Sequence, residues 1–290
     1  MGHEFTGEVV EVGKEVKNFK KGDHVVSIFT TACLKCYYCK RGLTSRCEDS
    51  FLFGSTQLDG GQAEYVRIPV ADNTLFPQPT DLPESSVVLL ADIFPTGLLA
   101  AKNAYGRMRS DELKDSVSVV IGCGPVGLCA IIAATKWVNK IYAIDSVPER
   151  LEEARALGAI PLHLNEDPKK TILAATEGRG AEFVLEIVGQ TPALGLAYDL
   201  IRPFGVISSV GAHNGEIPFT AKDGYAKNVT MHFGRCPARG LYGESLDLMR
   251  EKKDMFKGFA HHIMPLDKAA EGYELFNQRK VQKVIFKPHD

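Results

Sequence analysis

A glycine-rich turn in the middle of the chain constrains the fold more than any other feature. It has the form G-x-G-x-x-G, follows the β-branched run Val117–Ile121 and leads into an apolar helical stretch from Leu128 to about Trp137. A second strand-like run, Lys140–Ile144, ends in Asp145. This order of strand, glycine turn, helix, strand and acid is typical of a parallel α/β sheet that binds a dinucleotide at the carboxyl ends of its strands.

Each part of this pattern has a physical role. Glycine permits the tight turn, lets the backbone approach a pyrophosphate, and lets the helix pack closely on the strand. The helix N-terminus offers free amides to the phosphates. Asp145 accepts hydrogen bonds from ribose hydroxyls and repels a 2′-phosphate, so the pattern predicts NAD rather than NADP. The predicted cofactor contacts of this region are Gly122, Gly124, Pro125, Val126, Gly127, Asp145 and Arg150.

The next segments repeat the alternation of strand and helix. Strand-like Glu182–Ile187 and Val206–Val210 each run into a glycine, where an open parallel sheet places its ligand crevice. Val188, Val210 and Gly211 are therefore predicted to line the floor of the cofactor site. For each position alone, an ordinary turn after a strand is an equally good interpretation.

The first 90 residues have a different pattern, in which short strand-like runs alternate with turn residues. This pattern predicts a small β-rich domain. The predicted strands are Phe5–Val12, His24–Ile28, Ala63–Ile68 and Thr74–Pro79. Near the other end, the sequence predicts a helix over Asp267–Gln278 and a last strand over Lys283–Lys287.

Four of the seven cysteines form a cluster with the spacing C-x2-C-x2-C-x7-C. Closely spaced thiolates on short loops suit a tetrahedral structural zinc site. The alternative is a disulfide pair, or reduced thiols without a shared role. The predicted zinc ligands are Cys33, Cys36, Cys39 and Cys47, whereas Cys123, Cys129 and Cys236 are predicted to be core thiols.

Composition excludes two classes of partner. The formal net charge is −2, which gives no indication of nucleic acid or an anionic membrane. No apolar run approaches the roughly 18 residues that a membrane span needs. The first residues carry neither the basic nor the apolar segment of a secretory signal, so we expect a soluble cytoplasmic protein.

Two further segments contain side chains that could bind a catalytic zinc ion, which takes three protein ligands and keeps one open position. His3, Glu4 and Asp92 offer an imidazole and two carboxylates. By spacing alone, a structural or solvent-facing histidine is the better interpretation of His3.

A resemblance changes that interpretation. The stretches GHEFTGEVVEVG, GDHV, the cysteine cluster, GGQAEYVRIP, ADIFPTG, VIGCGPVG and RLEEARALGA occur in the order found in zinc-containing medium-chain alcohol dehydrogenases. The resemblance covers essentially the whole chain, and ADIFPTG is most similar to the branch with formaldehyde and threonine dehydrogenases. It implies an α/β protein with a Rossmann doubly wound parallel sheet inserted in a GroES-like β-rich catalytic domain. The implied boundaries are 1–95 with a zinc lobe at 33–47, then 96–235, and a return to the catalytic domain at 236–290.

The resemblance also implies an activity and several residue roles. Members transfer hydride between an alcohol, or an aldehyde hydrate, and NAD with the help of zinc, and they form dimers or tetramers. The implied roles are His3 and Asp92 as catalytic-zinc ligands, Glu4 as their partner at the metal, Thr96 near the nicotinamide, Lys283 at the pyrophosphate and Arg239 as a looser phosphate contact.

The sequence departs from the family before Gly2-His3-Glu4. Members carry an upstream segment there that holds the first catalytic-zinc cysteine. We therefore expect weakened binding of the catalytic zinc and low turnover. The alternatives to an active dehydrogenase are a catalytically impaired NAD- and zinc-binding paralogue or fragment, and a chain that folds poorly.

Overall fold

The computed structural model describes residues 1–106, 113–260 and 262–288. The chain divides into two compact units. The first comprises Met1–Pro95 and Cys236–Asp290, and the second is Thr96–Arg235. The first unit is therefore assembled from both ends of the chain, whereas the second is one continuous stretch.

Strands and helices are numbered here in chain order over the described residues. The strands are β1 (Phe5–Glu8), β2 (His24–Ser27), β3 (Leu75–Pro77), β4 (Val117–Ile121), β5 (Lys140–Asp145), β6 (Ile160–His163), β7 (Ala181–Glu186), β8 (Ile201–Ser209), β9 (Thr230–Phe233), β10 (His262–Pro265) and β11 (Val284–Lys287). The helices are α1 (Ala71–Thr74), α2 (Glu84–Val87), α3 (Ile93–Tyr105), α4 (Pro125–Ala134), α5 (Pro148–Ala156), α6 (Pro168–Ala175), α7 (Thr191–Leu200), α8 (Ala221–Lys227), α9 (Ala238–Glu251) and α10 (Ala269–Asn277). Short 3-10 turns lie at Cys39–Arg41, Thr44–Arg46, Val88–Ala91, Lys253–Phe256 and Leu266–Lys268.

The second unit contains a six-stranded parallel sheet in the order β6-β5-β4-β7-β8-β9. The chain starts in the middle at β4, adds strands on one side, and then continues from β7 on the other. Such a doubly wound sheet opens a ligand crevice at the carboxyl ends of the two central strands, where the direction of winding changes. The prediction of a doubly wound parallel sheet is confirmed.

The core of this sheet explains why its strands are nearly continuous apolar runs. All five residues of β4 are buried, because helices cover a parallel sheet on both faces. Val119, Ile144, Val184 and Ile207 come from four neighbouring strands and share one hydrophobic cluster, against which Leu194 packs from α7. Burying each side chain of this size contributes about 1.5–3 kcal/mol.

The first unit contains an antiparallel sheet in the order β1-β2-β3 and a parallel pair formed by β10 and β11. Val26 on β2 lies opposite Thr6 and Phe76, and its side chain is fully buried. Phe5 meets Phe53 edge-to-face with ring centroids 5.2 Å apart. The antiparallel sheet confirms the prediction of a GroES-like β-rich part of the fold.

Several predicted strands are shorter than expected, and one is absent. The prediction of a strand over Ala63–Ile68 is wrong, since this stretch has no strand pairing in the described structure. The predicted strand Phe5–Val12 stops at Glu8, and the first residue of Thr74–Pro79 belongs to α1. An extended segment becomes a strand only where a neighbour accepts its hydrogen bonds, and composition does not reveal that neighbour.

The helix predicted from Leu128 begins three residues earlier, at Pro125. Proline has no backbone N–H, but the N–H of the first helical residue has no partner within the helix in any case. The fixed φ of proline also suits the helix. The glycine turn therefore leads directly into the first turn of α4.

No single helix among the described residues is long and apolar enough to cross a membrane. The bent pair Glu84–Ala91 and Ile93–Tyr105 meets the length and composition criteria only when its two parts are counted together.

Candidate functional site

The glycine turn at the end of β4 has the backbone geometry that its pattern predicts. Gly122 has φ +93°, a conformation that other residues rarely adopt. A Cβ atom at Gly127 would lie only 1.8 Å from the Gly122 carbonyl oxygen, so α4 approaches the turn closely. A Cβ at Gly124 would meet nothing within 4 Å. Glycine at 124 is therefore not needed for packing, and the space beside it is open.

Asp145 ends β5 beside this turn and binds its backbone. Its Oδ2 accepts a hydrogen bond from the Cys123 N–H at 2.7 Å, and its Oδ1 accepts one from the Val147 N–H at 3.0 Å. Arg150 on α5 places Nη1 3.9 Å from Oδ2. The structure thus brings together the predicted acid, the glycine turn and Arg150, and it fixes the direction of the carboxylate.

A buried polar cluster joins the carboxyl ends of β7 and β8. The fully buried Glu186 accepts hydrogen bonds at Oε1 from the N–H groups of Val188 at 2.9 Å and Gly189 at 2.8 Å. Its Oε2 accepts from Ser209 Oγ at 2.6 Å and lies 2.8 Å from His213 Nε2. Ser209 and His213 are themselves 2.8 Å apart. One carboxylate therefore holds the segments that follow two parallel strands.

The predicted floor residues lie in these same two segments. The Val210 N–H donates to the Glu186 carbonyl at 3.1 Å. A Cβ at Gly211 would lie 2.2 Å from the Gly189 nitrogen, so the two segments touch through glycine backbone. Val188, 43% exposed, would in turn contact a Cβ placed on Gly122 at 2.7 Å. The floor residues thus adjoin the glycine turn, although their cofactor roles stay predictions.

Sequence reasoning missed Glu186, Ser209 and His213. The available signal was a carboxylate at the end of the apolar strand β7, where an unpartnered charge would be costly. Its partners lie 23 and 27 residues further along, and only the pairing of β7 with β8 brings them close.

The four clustered cysteines of the first unit converge. Their Sγ atoms all lie within 4.8 Å of one another, as ligands of one metal ion must. The Cys33 N–H donates to Cys47 Sγ at 3.2 Å, and the Cys36 N–H donates to Cys33 Sγ at 3.4 Å. All four are free thiols, so the disulfide alternative is not realised. The donor set and its spacing fit a structural zinc ion.

Local contacts shift the pKa values of three of these thiols, and not all in the same direction. A hydrogen bond from the Cys39 backbone N–H lowers the pKa of Cys36 to about 6. Burial raises the pKa of Cys39 to about 12, and burial also raises the pKa of Cys47. Zinc binding at neutral pH therefore displaces protons from Cys39 and Cys47.

His3 and Asp92 lie together in the first unit. His3 Nε2 is 3.0 Å from Asp92 Oδ2, and this hydrogen bond raises the pKa of His3 while burial acts in the opposite direction. The His3 ring also meets Phe29 edge-to-face, with centroids 6.0 Å apart. An imidazole nitrogen and a carboxylate oxygen at one point fit two of the three protein ligands of a catalytic zinc ion.

Glu4 is oriented towards Lys283, the residue directly before β11. Glu4 Oε1 accepts a hydrogen bond from Lys283 Nζ, and the two side chains are 14% and 16% exposed. Glu4 Oε2 is buried without a hydrogen-bond partner among the described residues. The pair neutralises the charge of Lys283 within the first unit.

Thr96 lies on α3 at the start of the second unit. The predicted roles of these three residues stay predictions.

Comparisons with known proteins agree with this architecture. Residues 125–251 match the zinc-binding dehydrogenase family, and residues 1–80 match the alcohol dehydrogenase GroES-like domain family. Zinc-type alcohol dehydrogenase B of Aspergillus flavus is 53% identical over 291 residues, covering 99% of this chain and 68% of that protein. An L-threonine 3-dehydrogenase of Caldanaerobacter subterraneus subsp. tengcongensis is 31% identical, covering 99% of this chain and 82% of that protein.

A solved structure shows the same similarity in three dimensions. Alcohol dehydrogenase TADH from Thermus sp. ATN1 matches with a TM-score of 0.89 and 34% identity, over 99% of this chain and 84% of that one. A GroES-like unit with a four-cysteine site and a doubly wound unit with a glycine turn define a zinc-binding oxidoreductase. The chain belongs to the zinc-containing medium-chain alcohol dehydrogenase family.

Proposed function

We propose that the chain transfers hydride between a small alcohol, or an aldehyde hydrate, and NAD. The observation that carries this proposal is the glycine turn with the Asp145 carboxylate fixed beside it, at the carboxyl edge of the parallel sheet. NAD bound there supplies the hydride acceptor. The similarity to alcohol and threonine dehydrogenases supports the substrate class.

The residues of the second unit divide the binding of NAD between them. The first amides of α4, at Val126 and Gly127, would bind the diphosphate, whose negative charge the helix dipole stabilises there. Asp145 would bind the adenosine ribose through the carboxylate that the Cys123 and Val147 N–H groups hold in place. The segments that Glu186 fixes would line the rest of the site.

His3 and Asp92 would hold the catalytic zinc ion, which supplies Lewis-acid chemistry. Glu4, with its unpartnered buried Oε2, remains the candidate for a further polar contact at that site. As part of this proposal the protein acts in the cytoplasm, where thiolate metal sites are common and disulfides rare, and assembles as a homo-oligomer.

A second candidate is a catalytically impaired protein that keeps NAD and the structural zinc ion. The pairing of His3 with Asp92 favours it, because these two supply fewer ligands than the three that a catalytic zinc ion takes. Glu4 has one of its two carboxylate oxygens already engaged by Lys283.

Metal content and turnover separate the two candidates. The purified chain would be analysed for zinc and assayed for NADH formation with a panel of small primary and secondary alcohols. A second zinc ion per chain with alcohol-dependent NADH formation supports the dehydrogenase. A single zinc ion with NADH binding but no turnover supports the impaired protein. Absence of NADH binding in a folded chain contradicts both.

Gly124→Ala tests the cofactor site without disturbing the fold. Its backbone, at φ −71° and ψ −174°, suits alanine, and its Cβ direction is open. The added methyl group would occupy space that the diphosphate needs, so we expect NADH affinity to fall at least about tenfold, or ~1.4 kcal/mol. NADH fluorescence titration measures the affinity, and an unchanged midpoint of thermal unfolding is the control. Wild-type affinity in this variant would place the dinucleotide elsewhere.

Asp145→Ala tests the choice of cofactor. Losing the carboxylate removes the ribose contact and leaves Arg150 unopposed, so we expect NAD affinity to fall about 10- to 100-fold and the preference over NADP to relax. The variant also loses the bonds from Cys123 and Val147, which lowers its stability. The ratio of the two dissociation constants cancels that shared loss and is the quantity to measure.

Asp145→Asn is the matched control, because it keeps one acceptor oxygen and the side-chain volume while removing the charge. We expect its NAD-to-NADP ratio to fall between those of the wild type and the alanine variant. An unchanged ratio in both variants would mean that another residue sets the selectivity.

A further inference from the structure

Arg239 lies at the start of α9, and its positively charged side chain is only partly exposed to solvent. Its guanidinium carbon lies 4.5 Å from the centroid of the Phe76 ring, whose other neighbour, Tyr242, stacks on it at 3.7 Å. Nη1 of Arg239 is buried and has no hydrogen-bond partner among the described residues. A ring face stabilises a guanidinium only modestly, by about 0.5–2 kcal/mol, so this charge needs an anion nearby.

The start of α9 lies against the four-cysteine lobe. A Cβ atom at Gly240 would come within 2.2 Å of the Gly42 carbonyl oxygen, which follows the 3-10 turn that begins at Cys39. The same helix packs on the neighbouring turn Thr44–Arg46. Burial lowers the pKa of Arg239, and negative charge at Cys39 acts in the opposite direction.

The metal site carries the negative charge that would balance the positive charge of Arg239. Four thiolates around one Zn²⁺ leave a net charge of about −2. Cys39 and Cys47 are buried, so water screens this charge poorly. The basic side chains within the lobe itself are exposed; Arg41, for example, lies over the Tyr37 ring and donates to the Tyr37 carbonyl at 3.1 Å.

We infer that Arg239 is the counter-cation of the four-cysteine metal site: its guanidinium offsets the net negative charge that four thiolates leave around one Zn²⁺ and so slows the loss of the metal. In this role it acts through the cysteines as a positioning residue. The looser expectation of a phosphate contact at Arg239 gives way to this role in the proposal. The inference does not depend on whether the chain is an active dehydrogenase.

Zinc release measures this role directly. The zinc-loaded full chain would be mixed with a chromophoric chelator, and the rate of zinc transfer compared among variants. We expect Arg239→Met to release zinc about tenfold faster or more, as replacing an outer partner of a metal ligand commonly does. Arg41→Met is the matched control: it removes an exposed cation from the same lobe, so its release rate should stay close to wild type.

Two further variants separate charge from packing. Arg239→Lys keeps the charge and should release zinc more slowly than Arg239→Gln, which keeps polarity and much of the length but no charge. This comparison holds even if Arg239→Met fails to fold. The cobalt-substituted proteins should retain thiolate-to-metal charge-transfer bands, which shows that the ligand set is intact in each variant.

Equal release from the lysine and glutamine variants would overturn the inference, because charge would then be irrelevant. Wild-type release from a folded Arg239→Met protein would also overturn it. So would acceleration of the same size in Arg41→Met, since any cation of the lobe would then serve.

Discussion

Replacing Cys36 by serine is expected to strip the lobe of its zinc ion. Cys36 has its pKa lowered to about 6 by the hydrogen bond from the Cys39 N–H, so it is a thiolate at neutral pH, whereas a serine hydroxyl stays protonated. Structural zinc contributes on the order of 10 kcal/mol to the folding of small zinc domains, so losing one of four ligands has a large effect. The number of zinc ions bound at the cysteine lobe per chain, measured after gel filtration with a weak chelator, should fall from about one to near zero.

Cys129→Ser serves as the control for this experiment. Cys129 is fully buried on α4 in the second unit and belongs to no metal group found among the described residues. We expect it to keep the lobe zinc even if it loses some stability. A Cys36→Ser protein that stays fully loaded and stable would refute the structural role of the lobe.

Gly127→Ala is expected to disrupt the second unit. Its Cβ would lie 1.8 Å from the Gly122 carbonyl oxygen, and no side-chain rotation relieves this contact because the backbone fixes the position of both atoms. Overpacking in a rigid interior costs about 1–3 kcal/mol even where side chains adjust, so we expect the free energy of unfolding to fall by about 3 kcal/mol or more. NADH binding should fall with it.

Fluorescence of Trp137 measures this loss within one unit. It is the single tryptophan of the chain, and its ring packs 5.5 Å from that of Tyr105. Urea unfolding followed at this residue therefore reports on the second unit. Gly195→Ala, in the middle of α7, is the matched control, since its Cβ meets only Pro218 at an ordinary 3.5 Å. Alanine there should stabilise by up to about 1 kcal/mol. If both variants unfold at the same urea concentration, the close approach at Gly127 is unimportant.

The features that sequence predicted well are local ones. The turn around Gly122, the buried strand Val117–Ile121 and the acid Asp145 lie within one strand–helix–strand unit, whose periodicity and glycine spacing follow directly from its own residues. The four cysteines are equally local, because 15 residues of loop suffice to bring four sulfurs together.

The features that sequence missed are formed by distant segments. The strand expected at Ala63–Ile68 does not form, because a strand needs a neighbouring strand to pair with, and its own side chains do not specify that partner. The role of Glu186 depends on Ser209 and His213, which reach it only through the register of β7 and β8. Asp145 was predicted as a ribose ligand, but its two backbone partners became visible only in the folded turn.

The division of the first unit between the two ends of the chain has a consequence for folding. Glu4 finds Lys283 across 279 residues, and the helix that carries Arg239 reaches the cysteine lobe only after the whole second unit has been synthesised. Contacts between such remote segments form slowly, because closing a long loop costs entropy before any contact is gained. The continuous second unit can therefore fold on the ribosome first. The cysteine lobe has its four ligands long before residues 236–290 emerge, but until then it lacks the helix that packs on it.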